Sequence, residues 1–372
     1  MSKQLAAAAA TLLAGALWTC DAVADEVAPP PLPDVAAPPT RWGDRMLAGH
    51  TFLFPTTHAG PFVTTNFGVV QGVYDEHIPS VPIPGGTPAD LDLIGVTSTA
   101  NLGIKLTDWL GIEGQGRALA VVGLDGQSLL YAGGQINTGG FFAPIVRLAR
   151  IESTGTQISA RAQMGWLSGS SLEIPRLIVV ARNAIAGAAQ NTADPTAAAR
   201  DIGRGLLQGG FPRVILAGAD TFGLNASIEA AQALGEMFGL QGAVALQRRV
   251  LGLTFKDPVA GELRDSARRY DFTFDASFEW DGSSAHIPIA AIVEYELNAR
   301  LGGTGDEQLE QEGSNTHTLG AGIYYSGRQD LQVGIFGATL RNLREVQGIG
   351  GIPGASGRPS IQFGEMLVRY VW

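Results

Sequence analysis

Residues 270–281 read YDFTFDASFEWD. Tyr270, Phe272, Phe274, Ala276, Phe278 and Trp280 share one parity, while Asp271, Thr273, Asp275, Ser277 and Glu279 share the other. Successive side chains leave a strand on opposite faces, so this is a β-strand with an aromatic face and an acidic face. In a soluble protein the aromatic face would pack on a second apolar layer. On a strand that crosses a bilayer, lipid covers it instead.

Strands of the same kind recur along the chain. VTTNFGVV, TSTANLGIKL, GIEGQGRALAV, FFAPIVRLARI, TQISARAQMGW, FGLNASIEAA, FGLQGAVALQR, IPIAAIVEYEL, THTLGAGIYY, LQVGIFGATL and IQFGEMLVRYVW join the opening stretch. Each is near the 9–11 residues that a tilted strand needs to cross a bilayer. Short turns at 106–108, ESTG, LGEM, WDGSSA and SGRQD alternate with long connections at 75–90, 123–140, 167–220, 251–269, 299–315 and 342–359. That rhythm predicts an all-β fold, a transmembrane antiparallel up-and-down β-barrel of about twelve strands, with tight turns on the periplasmic side.

The faces give the same reading. One parity carries Ile94, Val96, Leu102 and Ile104, then Met164 and Trp166, then Phe238, Leu240, Val244 and Leu246, then Leu319, Ile323 and Tyr325. The other carries Lys105, Glu113, Arg117, Arg147, Arg161, Glu229, Arg249, Asp271, Asp275, Glu279, Glu294 and Glu296. A charge on a lipid face near the midplane costs about 2–4 kcal/mol, so the polar parity must line the lumen.

Composition narrows the classes further. Of 372 residues, 50 are Gly, 16% are charged and the net charge is −10, which argues against a nucleic-acid partner. The single Cys allows no intramolecular disulfide. Residues 1–24 (MSKQLAAAAATLLAGALWTCDAVA) have a basic start, an apolar run and a small-x-small ending at Ala22-Val23-Ala24, the pattern of a secretory signal peptide. Cys20 follows Leu17-Trp18-Thr19, too bulky a run for a lipoprotein site, and cleavage after Ala24 removes it. The Pro-rich start of residues 25–61 reads as an extended periplasmic leader, with 41–61 either forming a short edge strand or tucking into the main body. Residues 62–372 form the barrel.

At the C-terminus Met366, Val368, Tyr370 and Trp372 share one face and the chain stops on Trp372. This resembles the terminal signature of Gram-negative outer-membrane β-barrel proteins, with Trp where Phe is commonest. The resemblance implies the outer membrane as location, outer-membrane lipid as surroundings, and recognition of Tyr370 and Trp372 by the barrel assembly machinery. The stretch YYSGRQDLQVGI is similar to segments of a poorly characterised group of such barrels, often labelled transporters of aromatic-degradation pathways.

Two features bear on what the barrel does. Residues 171–210 are Ala-rich with apolar residues at helical spacing, and Asp194-Pro195 has the form of a helix start, so a helical hairpin insert is expected in one long loop, in the lumen or on the rim. Arg117, Arg147 and Arg161 fall on strands three to five, whereas Asp271, Asp275, Glu279, Glu294 and Glu296 fall on strands eight and nine. On a twelve-strand ring these walls oppose each other and set a transverse field for selecting small solutes. The other reading is a plugged barrel whose outside loops bind a partner or surface polymer.

No enzyme motif emerges. His50, His58, His77, His286 and His317 lack H-E-x-x-H spacing, and no Gly-rich stretch has P-loop spacing. His286 and His317 have no Ser two residues on, as an outer-membrane phospholipase would require. Asp75-Glu76-His77 reads as a solvated loop triplet. The expectation is a channel or transporter, not an enzyme, with no cofactor and no metal.

Overall fold

In the computed structural model the described residues are 44–81, 88–125, 128, 134–172, 216–257, 261–304, 315–343, 346–347 and 356–372. Twelve strands make one closed barrel: β1 Asn66–Val81, β2 Ala89–Lys105, β3 Leu110–Gly123, β4 Gly134–Ile151, β5 Thr156–Leu172 and β6 Leu216–Ala233. These are followed by β7 Phe238–Asp257, β8 Gly261–Asp281, β9 Ile289–Thr304, β10 Thr316–Tyr325, β11 Leu331–Asn342 and β12 Ser360–Val371. Every neighbour pairs antiparallel in chain order, and β12 closes on β1 from Ser360↔His77 to Val371↔Asn66. Closure leaves no open sheet edge, as a wall in lipid requires.

The opening stretch shows how the wall is sorted. Tyr270, Phe274 and Phe278 are exposed on the outer face, whereas Asp271, Asp275, Ser277 and Glu279 are at most 5% exposed. The outer belt continues around the ring through Val96, Leu102, Met164, Leu246, Val293, Ile323 and Ile335. Aromatic residues collect near its ends: Trp109, Tyr325, Tyr370 and Trp372 toward the short turns, and Trp166, Phe222 and Tyr270 toward the other rim. A belt of this kind flanked by aromatic girdles has the form expected of a barrel wall that faces lipid. Outer-parity charges such as Arg248, Arg268 and Arg341 lie toward the long-connection end.

The strands run further than their apolar cores. β1 extends to Val81, so Asp75, Glu76 and His77 are strand residues rather than a loop triplet. Alternation separates them: Glu76 accepts a hydrogen bond from the Tyr74 hydroxyl (2.6 Å), while His77 meets Asp92 on β2 (2.8 Å). β7 and β8 likewise leave only 258–260 between them, where 251–269 was expected as a long connection. Backbone pairing continues the ribbon past the membrane because a paired strand satisfies its own polar groups. The helical insert expected over 171–210 begins on the last two residues of β5 and otherwise lies outside the described residues.

Candidate functional site

Residues 44–65 run into the bore at its short-turn end. Met46–Leu47 and His50–Thr51 form a small hairpin whose two turn residues, Ala48 and Gly49, both have positive φ (47° and 87°). This is the backbone of a tight two-residue hairpin turn. From Phe52 onward the segment has no strand partner and is held by the barrel's inward side chains. Leu47, Phe52, Leu53, Phe62 and Val63 are at most 5% exposed.

Several of its backbone groups meet specific partners on the wall. Leu53 N donates to Glu279 (2.6 Å), and Leu53 O accepts from Gln241 (2.8 Å). Phe54 exchanges two hydrogen bonds with the Gln332 amide, at 3.1 and 3.3 Å. Two guanidinium groups lie over its ring, Arg45 at 4.7 Å and Arg369 at 4.3 Å from the centroid, a cation–π arrangement. Glu294 accepts from Thr56 N (2.8 Å), Thr57 N (2.7 Å) and the Thr57 hydroxyl (2.6 Å). Gly60 O accepts from Arg161 (2.8 Å), and Pro61 O accepts from Gln157 and Ser159 (2.6 and 2.5 Å). An unpaired backbone group in such a place costs about 1–3 kcal/mol, so these side chains determine where the segment can lie.

Two close approaches fix its path. A Cβ at Gly239 of β7 would stand 2.5 Å from His50 Nε2 and 2.7 Å from Phe52, so only glycine admits the segment there. A Cβ at Gly111 would meet Val63 at 2.9 Å. At the mouth, Lys105 binds both oxygens of Asp44 at 2.8 Å, and Arg150 donates to Met46 O at 2.8 Å. Lys105 also holds the exposed Asp108 carboxyl of the β2–β3 turn below its usual range, by hydrogen bond and charge.

Above this floor lies a cavity of about 560 Å³. Its lining includes Arg117, Gln115, Tyr74, Glu365, Arg249, Asp275, Glu296 and Asn298, with Phe141, Phe363 and Leu340 as apolar patches. Of the residues expected to set a transverse field, Arg117, Arg161, Asp275 and Glu296 line this space. Arg161 is spent on a buried triad, between Glu229 (2.7 Å) and Glu113. Glu279 and Glu294 serve the N-terminal segment. Asp271 is fully buried against Arg269 (2.5 Å) and Arg249 (3.4 Å). Arg147 pairs with Ser159 and its backbone N donates to Trp109 O (2.8 Å) near the short-turn end, away from the cavity lining. Of the expected set, Arg117, Asp275 and Glu296 thus remain on the cavity, whose lining also carries Arg249, Arg369, Glu113, Glu229 and Glu365. Among the described residues no group of three or more His, Cys, Asp or Glu is arranged to hold a metal ion.

Tyr370 and Trp372 face outward at the closing seam, their rings 5.7 Å apart, and Trp372 N donates to Thr65 O (3.0 Å). Sequence reading placed Gln241 on the lumen face without a role and did not single out Gln157, Gln332 or Tyr324, the other neutral wall residues that hold the segment. A Gln on the inward parity of a strand was the available signal.

No protein-family model and no curated protein sequence matches the chain. Solved structures do resemble it. The COG4313 outer membrane channel from Pseudomonas putida F1 is 12% identical, covering 86% of this chain and 100% of that one, with a TM-score of 0.44. The translocator domain of autotransporter NalP from Neisseria meningitidis is 9% identical over 83% and 89%, TM-score 0.46. The toluene transporter TodX from Pseudomonas putida is 10% identical over 88% and 96%, TM-score 0.37. The chain thus resembles outer-membrane β-barrel proteins in form. At these scores the likeness carries no functional argument, and the matches include both channels and translocator domains.

Proposed function

We propose that this chain is an outer-membrane channel for small solutes whose bore is closed at the periplasmic end by its own N-terminal segment. The carrying observation is the polar cavity of about 560 Å³ seated directly on residues 53–62. The floor is attached by side-chain hydrogen bonds rather than by ladder pairing, so it can be displaced without opening the wall. In this reading residues 1–24 direct export, the short turns face the periplasm, and Arg117 opposite Asp275 and Glu296 biases which solutes enter.

Single-channel recording in planar bilayers tests the proposal. The mature chain should give small or infrequent steps, and a variant lacking residues 44–61 should give larger, stable ones. A deletion variant that folds, judged by heat-modifiable migration, yet conducts no better would favour the plugged structural barrel instead.

A further inference from the structure

We infer that the recess around Asp275 binds an organic ammonium group, which makes an amine the solute class of the proposed channel. Asp275 on β8 stands directly opposite Glu296 on β9, so two carboxyl groups occupy one non-local pair. On the other side Asp275 pairs with Ala243 and Thr273 pairs with Ala245, both on β7. Two alanines in inward positions leave the carboxyl groups a hollow rather than a packed neighbour. Asp275, Glu296, Ala243, Ala245 and Asn298 all line the cavity.

Two buried side-chain acceptors at that hollow, on Asp275 and Asn298, have no partner among the described residues. Asp275 is 5% exposed and its Oδ1 has no partner among the described residues. Asn298 is 9% exposed; its Nδ2 is directed to Thr273 Oγ1 (3.4 Å), which leaves Oδ1 as an unpartnered acceptor. Arg249 on β7 directs its Nε to Gln247 (2.8 Å) and Asp271 (3.4 Å), and no ion pair joins it to Asp275 among the described residues. Buried acceptors that lack donors are costly, and a carboxylate more so than an amide. A group bringing several N–H donors and one positive charge answers all of them, and an alkylammonium does so in the smallest volume. Phe141 and Phe363 add apolar surface elsewhere in the same cavity.

Isothermal titration calorimetry on the full mature protein in detergent, with benzylammonium as probe, tests this against benzyl alcohol and benzoate, which have a similar shape. Benzylammonium should bind at least tenfold more tightly than either. Asp275→Asn and Ala245→Leu should each weaken it at least tenfold, the first by removing charge and the second by filling the hollow. Equal affinity for the alcohol or for benzoate overturns the inference, as does unchanged binding in a folded Asp275→Asn protein. The comparison of the three probes needs only the unmodified chain, so it decides the matter even if a variant fails to fold. Because the inference deepens the channel reading, the two are separated by readout: silent bilayers with specific amine binding reject conduction alone, and conduction without charge preference in binding rejects the ammonium site alone.

Discussion

Three hydrogen-bond donors of Thr56 and Thr57 converge on the fully buried Glu294 carboxylate, and Tyr324 holds the Thr56 hydroxyl beside it at 3.0 Å. Hydrogen bonds to a charged acceptor contribute about 1.5–3 kcal/mol each, and replacing the carboxylate by an amide sets new N–H donors against the backbone donors. Glu294→Gln should therefore loosen the segment without disturbing the ladder. Limited proteolysis checks this: cleavage by trypsin at Arg45, buried in the parent, should speed up severalfold while the barrel stays heat-modifiable. Gly239→Val should act by volume where Glu294→Gln acts by charge, since the added carbons occupy the place of His50 and Phe52. Its expected outcome is the same rise in cleavage together with larger conductance steps. That Asp275 and Glu279 point into the bore was legible in YDFTFDASFEWD, because parity is a local property of a strand. What Glu279 binds was not legible. RWGDRMLAGHTFLFPTTHAGP has neither a period of two nor of 3.6, and its conformation is set by side chains more than 90 positions away at Gln157, Arg161, Gln241, Glu279 and Glu294.

At the scale of single strands, length was harder to read than identity. The dozen apolar cores each correspond to one barrel strand, but hydropathy falls once a strand leaves the bilayer, while pairing does not. So β1 continues through Asp75 and His77, and β8 begins nine residues before Tyr270. The belt itself makes a firm prediction. Ile335 of β11 is 65% exposed on the outer face and its inward neighbour Phe336 is 3% exposed. Ile335→Lys should lower stability by about 2–4 kcal/mol if it sits near the midplane, measured by urea unfolding in liposomes. β12 bears a different burden: it pairs with both β11 and β1, and Trp372 fastens to Thr65 just ahead of β1. Trp372→Asp should reduce the amount of heat-modifiable barrel recovered from membranes, with the surviving molecules unchanged in conductance.

For the molecule as a whole, the ring and its filling are held by different interactions. The wall rests on continuous backbone pairing from β1 round to β12. The filling rests on hydrogen bonds to inward wall side chains, Glu279 and Glu294 among them. Removing residues 44–61 should accordingly leave β-type circular dichroism intact but lower the thermal midpoint in detergent, as water replaces their partners.

The seam between β1 and β12 joins the two ends of the barrel sequence, and the filling is the stretch of chain immediately before β1. This puts a clock on biogenesis. While the seam is still unzipped, residues 44–65 can be laid sideways against Gln157, Glu279 and Glu294 as those strands gather. Once Val371 has met Asn66, the only way in is lengthwise, past the turns, with a bulky hairpin leading. A chain that closes early is thus a distinct species, a finished cylinder with its stopper hanging outside, and the order of two late events decides whether a newly made molecule begins life shut or open.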